Sequence, residues 1–269
     1  MPYYVTDDNV RIYYEEKGDG KPVVLVHGWS CNRRHFKKQT PELSKRYRVV
    51  HYDLRGHGDS DVPERFLTMK QFALDLGELI DYLGLKEVSL IGWSMGVHII
   101  WEYVKQFGCD NLGKLCFIDM TPKLITDEEW KYGLYGNYSH KNNLATLAAM
   151  CKDWGVFTDQ FVPTTFAKSG YDQDEYDWVR KQAKKNTPHV MINMWIAMAI
   201  RDYRSVLPTI TVPCLITYGE ESQLYLPETS EYQKEQIPDA KLVSFPKCGH
   251  GLHMEDPDKF NKEVMDFIG

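Results

Sequence analysis

The sequence predicts an α/β fold: a mostly parallel, twisted sheet flanked by helices and interrupted by one long helical insertion. Three observations predict it. Short apolar runs alternate with segments of helical periodicity through residues 1–121. Residues 122–208 contain no strand-like run. Strand-like runs then resume in 209–269. Segments 1–121 and 209–269 are therefore expected to form one core, with 122–208 inserted as a cap, and a chain of 269 residues has room for that arrangement.

The elements follow in order. Tyr3–Thr6 and Val10–Glu16 alternate around the turn residues Asp7-Asp8-Asn9 and predict a hairpin at the sheet edge. Val23–His27, ending at Gly28, is a continuous apolar run of the kind a strand buried on both faces requires. Arg48–Tyr52, Glu87–Ile91 and Leu115–Ile118 have the same character. Leu67–Leu83 carries Phe72, Leu76, Leu79, Ile80 and Leu83 at helical spacing and stops at Gly84. Met95–Phe107 repeats that pattern with Ile99, Ile100, Tyr103 and Val104, and ends at Gly108. Strands alternating with helices imply right-handed crossovers and parallel pairing. The 122–208 stretch is dense in aromatic and Met residues, among them Trp130, Trp154, Phe157, Phe161, Trp195 and Met198. The final part predicts strands at Val212–Tyr218 and Lys241–Phe245 and an amphipathic helix at Lys259–Ile268.

Composition narrows the function. A net charge of −6 and a pI near 5.9, with only short basic pairs such as Arg33-Arg34 and Lys184-Lys185, argue against a nucleic-acid partner. No apolar run approaches the roughly 18 residues that span a bilayer. The start, Met1-Pro2-Tyr3-Tyr4-Val5-Thr6-Asp7-Asp8, lacks the basic and apolar regions of a signal peptide, so a cytoplasmic protein without a membrane partner is expected. Cys31, Cys109, Cys116, Cys151, Cys214 and Cys248 show no metal-ligand spacing and read as reduced, mostly buried thiols. No metal site and no cofactor are expected; the partner is a small-molecule substrate.

The segment Gly92-Trp93-Ser94-Met95-Gly96 carries the chemistry. A predicted strand precedes it and a predicted helix follows it. A serine on such a turn sits in a strained backbone conformation, and Gly92 and Gly96 keep its neighbours small. The helix N-terminus then favours a developing anion beside the Ser94 hydroxyl.

With three further segments the chain resembles the α/β-hydrolases that carry a cap domain. His27-Gly28-Trp29, after the Val23–Val26 run, resembles their oxyanion loop. Tyr52-Asp53-Leu54-Arg55-Gly56-His57-Gly58-Asp59-Ser60 resembles their strand-4 turn, and Cys248-Gly249-His250 resembles the segment that carries the catalytic base. The resemblance covers essentially the whole chain and implies an eight-stranded sheet and a serine hydrolase.

It assigns Ser94 as nucleophile, His250 as general base, and the backbone N–H groups of Met95 and Trp29 as donors to the oxyanion. His253 is the alternative base, while His27, His57 and His98 read as structural. The place where many relatives carry the acid, in Gly219-Glu220-Glu221-Ser222-Gln223, holds Ser222, which has no charge to offer an imidazolium. Asp119, after the Lys114–Ile118 run, is the expected acid, with Glu221 and Glu220 as alternatives. Asp53 and Arg55 are expected to brace turns beneath the site. Trp29, Trp93, Met95 and Met120 are the candidate pocket residues.

Ser94 excludes the alkyl-ester chemistry of relatives with an aspartate nucleophile. It implies an acyl-enzyme formed from a carboxylic ester, thioester or lactone of a small, largely apolar substrate. Carbon–carbon bond hydrolysis, a perhydrolase reaction on the same scaffold, and a non-catalytic ligand-binding protein are the alternatives.

Overall fold

The structure is a computed structural model and describes residues 3–269; Met1 and Pro2, the start of the expected core segment, lie outside the described residues. Eight strands form one sheet, in the order β1-β2-β4-β3-β5-β6-β7-β8. β1 (Tyr3–Val5) and β2 (Arg11–Lys17) are the edge hairpin that the turn residues predicted, and β2 pairs antiparallel with β4 (Arg48–Tyr52). All later pairings are parallel, through β3 (Pro22–Val26), β5 (Val88–Trp93), β6 (Leu112–Ile118), β7 (Cys214–Gly219) and β8 (Ala240–Phe245). The central runs are apolar throughout because helices cover both faces of the sheet: every residue of β5 is buried.

The short α1 (Thr40–Leu43) follows β3, and α2 (Met69–Tyr82) and α3 (Met95–Phe107) are the two helices read from the sequence. Thr68 caps α2 by accepting from the Gln71 N–H, which sets its start two residues later than the apolar spacing suggested. Between β6 and β7 lie α4 (His140–Lys152), α5 (Trp154–Phe161), α6 (Gln173–Lys184) and α7 (Pro188–Ala199). A single antiparallel bridge, Lys123 to Asp202, pairs two residues near the ends of this helical insertion. The aromatic and Met residues there do not form a separate core. Met150, Trp154, Met191, Met194 and Trp195 belong to one hydrophobic cluster that runs on through Trp29 to α2 and α3. After β7 come α8 (Pro227–Gln236), the single turn α9 (Leu252–Glu255) and α10 (Pro257–Ile268).

Strand register places the candidate residues together. Gly92 of β5 pairs with Val26 of β3, and Trp93 with Ile118 of β6, so the carboxyl ends of three central strands lie level. Ser94 and Asp119 each sit one residue beyond those ends, and Trp29 three residues beyond Val26. His250 follows β8 on the same edge, the edge where open parallel sheets build their sites.

Candidate active site

Ser94 occupies the turn between β5 and α3 with φ +55° and ψ −123°, a left-handed conformation that costs about 1–3 kcal/mol in a residue with a side chain. The glycines on either side make that turn feasible. A Cβ on Gly96 would stand 2.1 Å from the Val26 carbonyl oxygen, and one on Gly92 would stand 2.8 Å from the Gly96 carbonyl carbon. The Ser94 N–H donates to the Ile118 carbonyl at 3.1 Å, which ties the turn to the end of β6.

Met95 follows Ser94 directly, and Trp29 lies on the loop after β3 and lines the same pocket as Ser94. Met95 is the first residue of α3, so its N–H has no carbonyl a turn earlier to bond. Among the described residues neither this N–H nor that of Trp29 donates to a protein acceptor. The Trp29 indole turns away from the strand ends: its N–H donates to the Met191 carbonyl at 2.9 Å, and its ring meets Trp154, Phe161 and Trp195 edge-on.

The imidazole of His250 lies 2.8 Å, through Nδ1, from Oδ2 of Asp119, and both side chains are almost wholly buried. A hydrogen bond to that carboxylate puts the proton on Nδ1 and leaves Nε2 as the acceptor. Asp119 has φ +43°, and its N–H donates to the Thr217 carbonyl, so its backbone is turned at the end of β6 and held there. Glu220 and Glu221, the alternative acids, are engaged elsewhere. Glu220 accepts from the Ser244 hydroxyl at 2.7 Å and Glu221 from the Ser169 N–H at 2.7 Å, both at the exposed surface.

His253 is fully buried against Trp93 and Phe36, and among the described residues neither of its ring nitrogens has a hydrogen-bond partner, so no carboxylate orients it as a base. His27 accepts the Leu54 N–H, His57 sits 3.2 Å from the Arg55 carbonyl, and His98 sits 2.8 Å from the Thr121 carbonyl. Burial pushes all three well down, to about 4 for His57 and His98, so they are neutral braces. Asp53 accepts the Arg33 and Asp59 N–H groups and holds the strand-4 turn as expected. Arg55 reaches further, pairing with Asp75 of α2 and with Asp8 of the edge hairpin.

Several hydrogen bonds fasten the loop that carries His250. The Trp93 indole N–H donates to the His250 carbonyl at 2.9 Å, the Gly251 N–H donates to the Thr165 carbonyl at 2.9 Å, and the Glu221 N–H donates to the Cys248 carbonyl at 2.9 Å. Glu255, which the sequence did not single out, adds to them. One of its carboxyl oxygens accepts the Gly249 N–H and the other accepts the Ala167 N–H of the insertion, each at 2.8 Å. Burial pushes the Glu255 carboxyl up to about 7 despite those two donors. Its place five residues after His250 was the only mark it left in the sequence.

Ser94 and His250 line the same pocket, which encloses about 610 Å³ including its open mouth. Gly28 and Trp29 form one wall; Phe161, Trp195, Met198 and Leu134 of the insertion form another. Among the described residues the Ser94 hydroxyl makes no hydrogen bond, a contact that commonly tightens only when substrate is bound. Of the four pocket residues expected, Trp29 and Trp93 line it. Met95 and Met120 do not: both are buried, and the Met120 sulfur accepts from the Tyr225 hydroxyl at 3.1 Å, with Tyr225 itself on the pocket wall. The residue after a strand end can point beneath the site instead of into it, and sequence alone does not distinguish the two.

Cys31 also lines the pocket, but burial pushes its thiol pKa up, and Cys248 is pushed up to about 12, so neither is a ready nucleophile. Among the described residues no cluster of three or more His, Cys, Asp or Glu is placed to hold a metal, and no helix is long and apolar enough to cross a membrane.

Comparison with known proteins places the chain's fold and family. Residues 23–263 match the model of the Alpha/beta hydrolase family. The chain superposes on an esterase from Exiguobacterium antarcticum with a TM-score of 0.93, at 29% identity, covering 99% of this chain and 98% of the other. It is 27% identical over 270 residues to an AB hydrolase superfamily protein of Bacillus subtilis, covering 99% of each chain. It is also 26% identical over 273 residues to a non-heme chloroperoxidase of Kitasatospora aureofaciens, covering 100% of this chain and 99% of that one.

Proposed function

The chain belongs to the α/β hydrolase family, and on that premise we propose that it hydrolyses a carboxylic ester, thioester or lactone through an acyl-enzyme on Ser94. The observation that carries the reading is the buried Asp119–His250 hydrogen bond in the pocket that Ser94 also lines. His250 takes the Ser94 proton at Nε2 as the hydroxyl oxygen bonds to the substrate carbonyl carbon. The N–H groups of Trp29 and Met95 receive the oxyanion. Collapse breaks the bond to the leaving alcohol, which leaves with the proton from His250. Water then attacks the acyl group, passing a proton to His250, and the acid departs as Ser94 is re-protonated. Asp119 keeps the imidazole in the required tautomer and offsets its charge during both halves.

Residues 122–208 act as the cap. Phe161, Trp195 and Met198 supply an apolar wall with few polar groups to fix a substrate's orientation, which favours a small aliphatic or aryl acyl group. The likeness to a chloroperoxidase favours a second outcome for the same intermediate: hydrogen peroxide in place of water would release a peracid. A fluorophosphonate probe tests the reading. It should label the protein at Ser94 and leave a Ser94→Ala variant unlabelled. A wild-type protein that resists the probe would favour a ligand-binding role and sink the proposal.

A further inference from the structure

Ser222 stands where many relatives have their acid, and its side chain faces the residue that took over that place. Its Oγ lies 2.8 Å from Oδ2 of Asp119, the same oxygen that His250 Nδ1 approaches at 2.8 Å. The direction of that hydrogen bond follows from its neighbours. The Leu224 and Tyr225 N–H groups both point at Ser222 Oγ, each at 3.4 Å, and occupy its acceptor side. The hydroxyl proton is then left for the carboxylate, which can only accept while ionised. The turn is tied down by the Ser222 N–H, which donates to the Gly219 carbonyl at 3.1 Å.

We propose that Ser222 is a positioning residue for the triad acid: its hydroxyl holds Asp119 Oδ2 in line with His250 and relays two main-chain dipoles to it. The inference rests on the esterase reading for its role in turnover. Asp119 comes from a strained position at the end of β6; its N–H bond to Thr217 fixes the backbone, and Ser222 and His250 together hold its carboxyl by the same oxygen. Tyr225 and Glu255 are the other ionisable groups whose charge acts on this carboxyl or feels it, and among the described residues neither bonds to it. Ser222 is not on the pocket wall, so its effect falls on the chemical step and leaves substrate binding untouched.

The test is steady-state kinetics on a nitrophenyl ester from pH 5 to 9 with Ser222→Ala and Ser222→Thr. Ser222→Ala should lower kcat about tenfold, the worth of one hydrogen bond to a charged group, at unchanged KM. With Asp119 Oδ2 no longer held in line, its charge acts less on His250, so the acid limb of kcat/KM should move down. Ser222→Thr, which keeps the hydroxyl, should restore both. Should Ser222→Ala not fold, Ser222→Cys carries the same test, because a thiol keeps the volume and is a weak donor. A kcat close to wild type overturns the proposal, and so does a loss of kcat with the acid limb unmoved. If the wild-type protein turns over no ester, the esterase reading fails on its own. The His250 titration midpoint, followed by NMR in wild type and Ser222→Ala, then decides the Ser222 inference: a fall supports it, and no change or a rise overturns it.

Discussion

Replacing Asp119 with Asn keeps the size of the side chain and removes its charge. In the folded protein that charge lies 2.8 Å from His250 Nδ1, with both groups shielded from water. At charge separations of about 4 Å and an effective dielectric of about 20, losing it costs the imidazolium about 4 kcal/mol, or roughly a thousandfold in rate. The Asn amide adds a second penalty. If its NH₂ faces Nδ1, the imidazole must accept there and carry its proton on Nε2, where it cannot take one from Ser94. Together these effects predict a fall in kcat on the order of 10³–10⁴-fold with KM little changed. The assay is hydrolysis of a nitrophenyl-ester series, with Glu220→Gln and Glu221→Gln alongside; both contact only surface partners and should stay near wild type. An Asp119→Asn enzyme within about tenfold of wild type would refute the reasoning, and a comparable collapse in Glu221→Gln would move the acid to that residue.

Two other predictions concern the loop and the pocket. The Glu255 carboxyl is raised to about 7 from an ordinary 4.5, so it favours the folded state fully below pH 4.5 and loses that contribution as pH rises through 7. Thermal melts should therefore show wild type losing roughly 3–8 °C relative to Glu255→Gln between pH 5 and 8, and parallel curves would remove Glu255 as the cause. Phe161→Ala opens the insertion side of the pocket and should move the preferred acyl chain about two or more methylenes longer, each worth ~0.8 kcal/mol when buried. An unchanged acyl-length optimum would place the acyl group against another wall.

Much of this arrangement was legible in the sequence because local rules and the global fold agree there. The central strands read as unbroken apolar runs, and α2 and α3 as amphipathic helices with glycine stops, because each is decided by which faces are buried. The Ser94 turn was legible because its backbone demands small neighbours at 92 and 96. Helix α8, Pro227–Gln236, was not seen: its residues are polar on most sides, so no apolar stripe marks it. The sequence shows that Ser222 has no charge to offer an imidazolium, but its hydroxyl's hydrogen bond to Asp119 is a contact across 103 residues that no local pattern reports. Met120 and Glu255 show the same limit from opposite sides. Which side of a loop a residue faces is set by packing between strands far apart in sequence, and no local pattern reports it.

The account stands or falls on a covalent acyl group at Ser94. Mixing the enzyme with a slowly deacylated nitrophenyl ester, quenching in acid within milliseconds and mapping peptides by mass should find the acyl group on the peptide containing Ser94, and should find none in Ser94→Ala. Ester turnover with no adduct on that peptide, or with the adduct on Cys31, would contradict it.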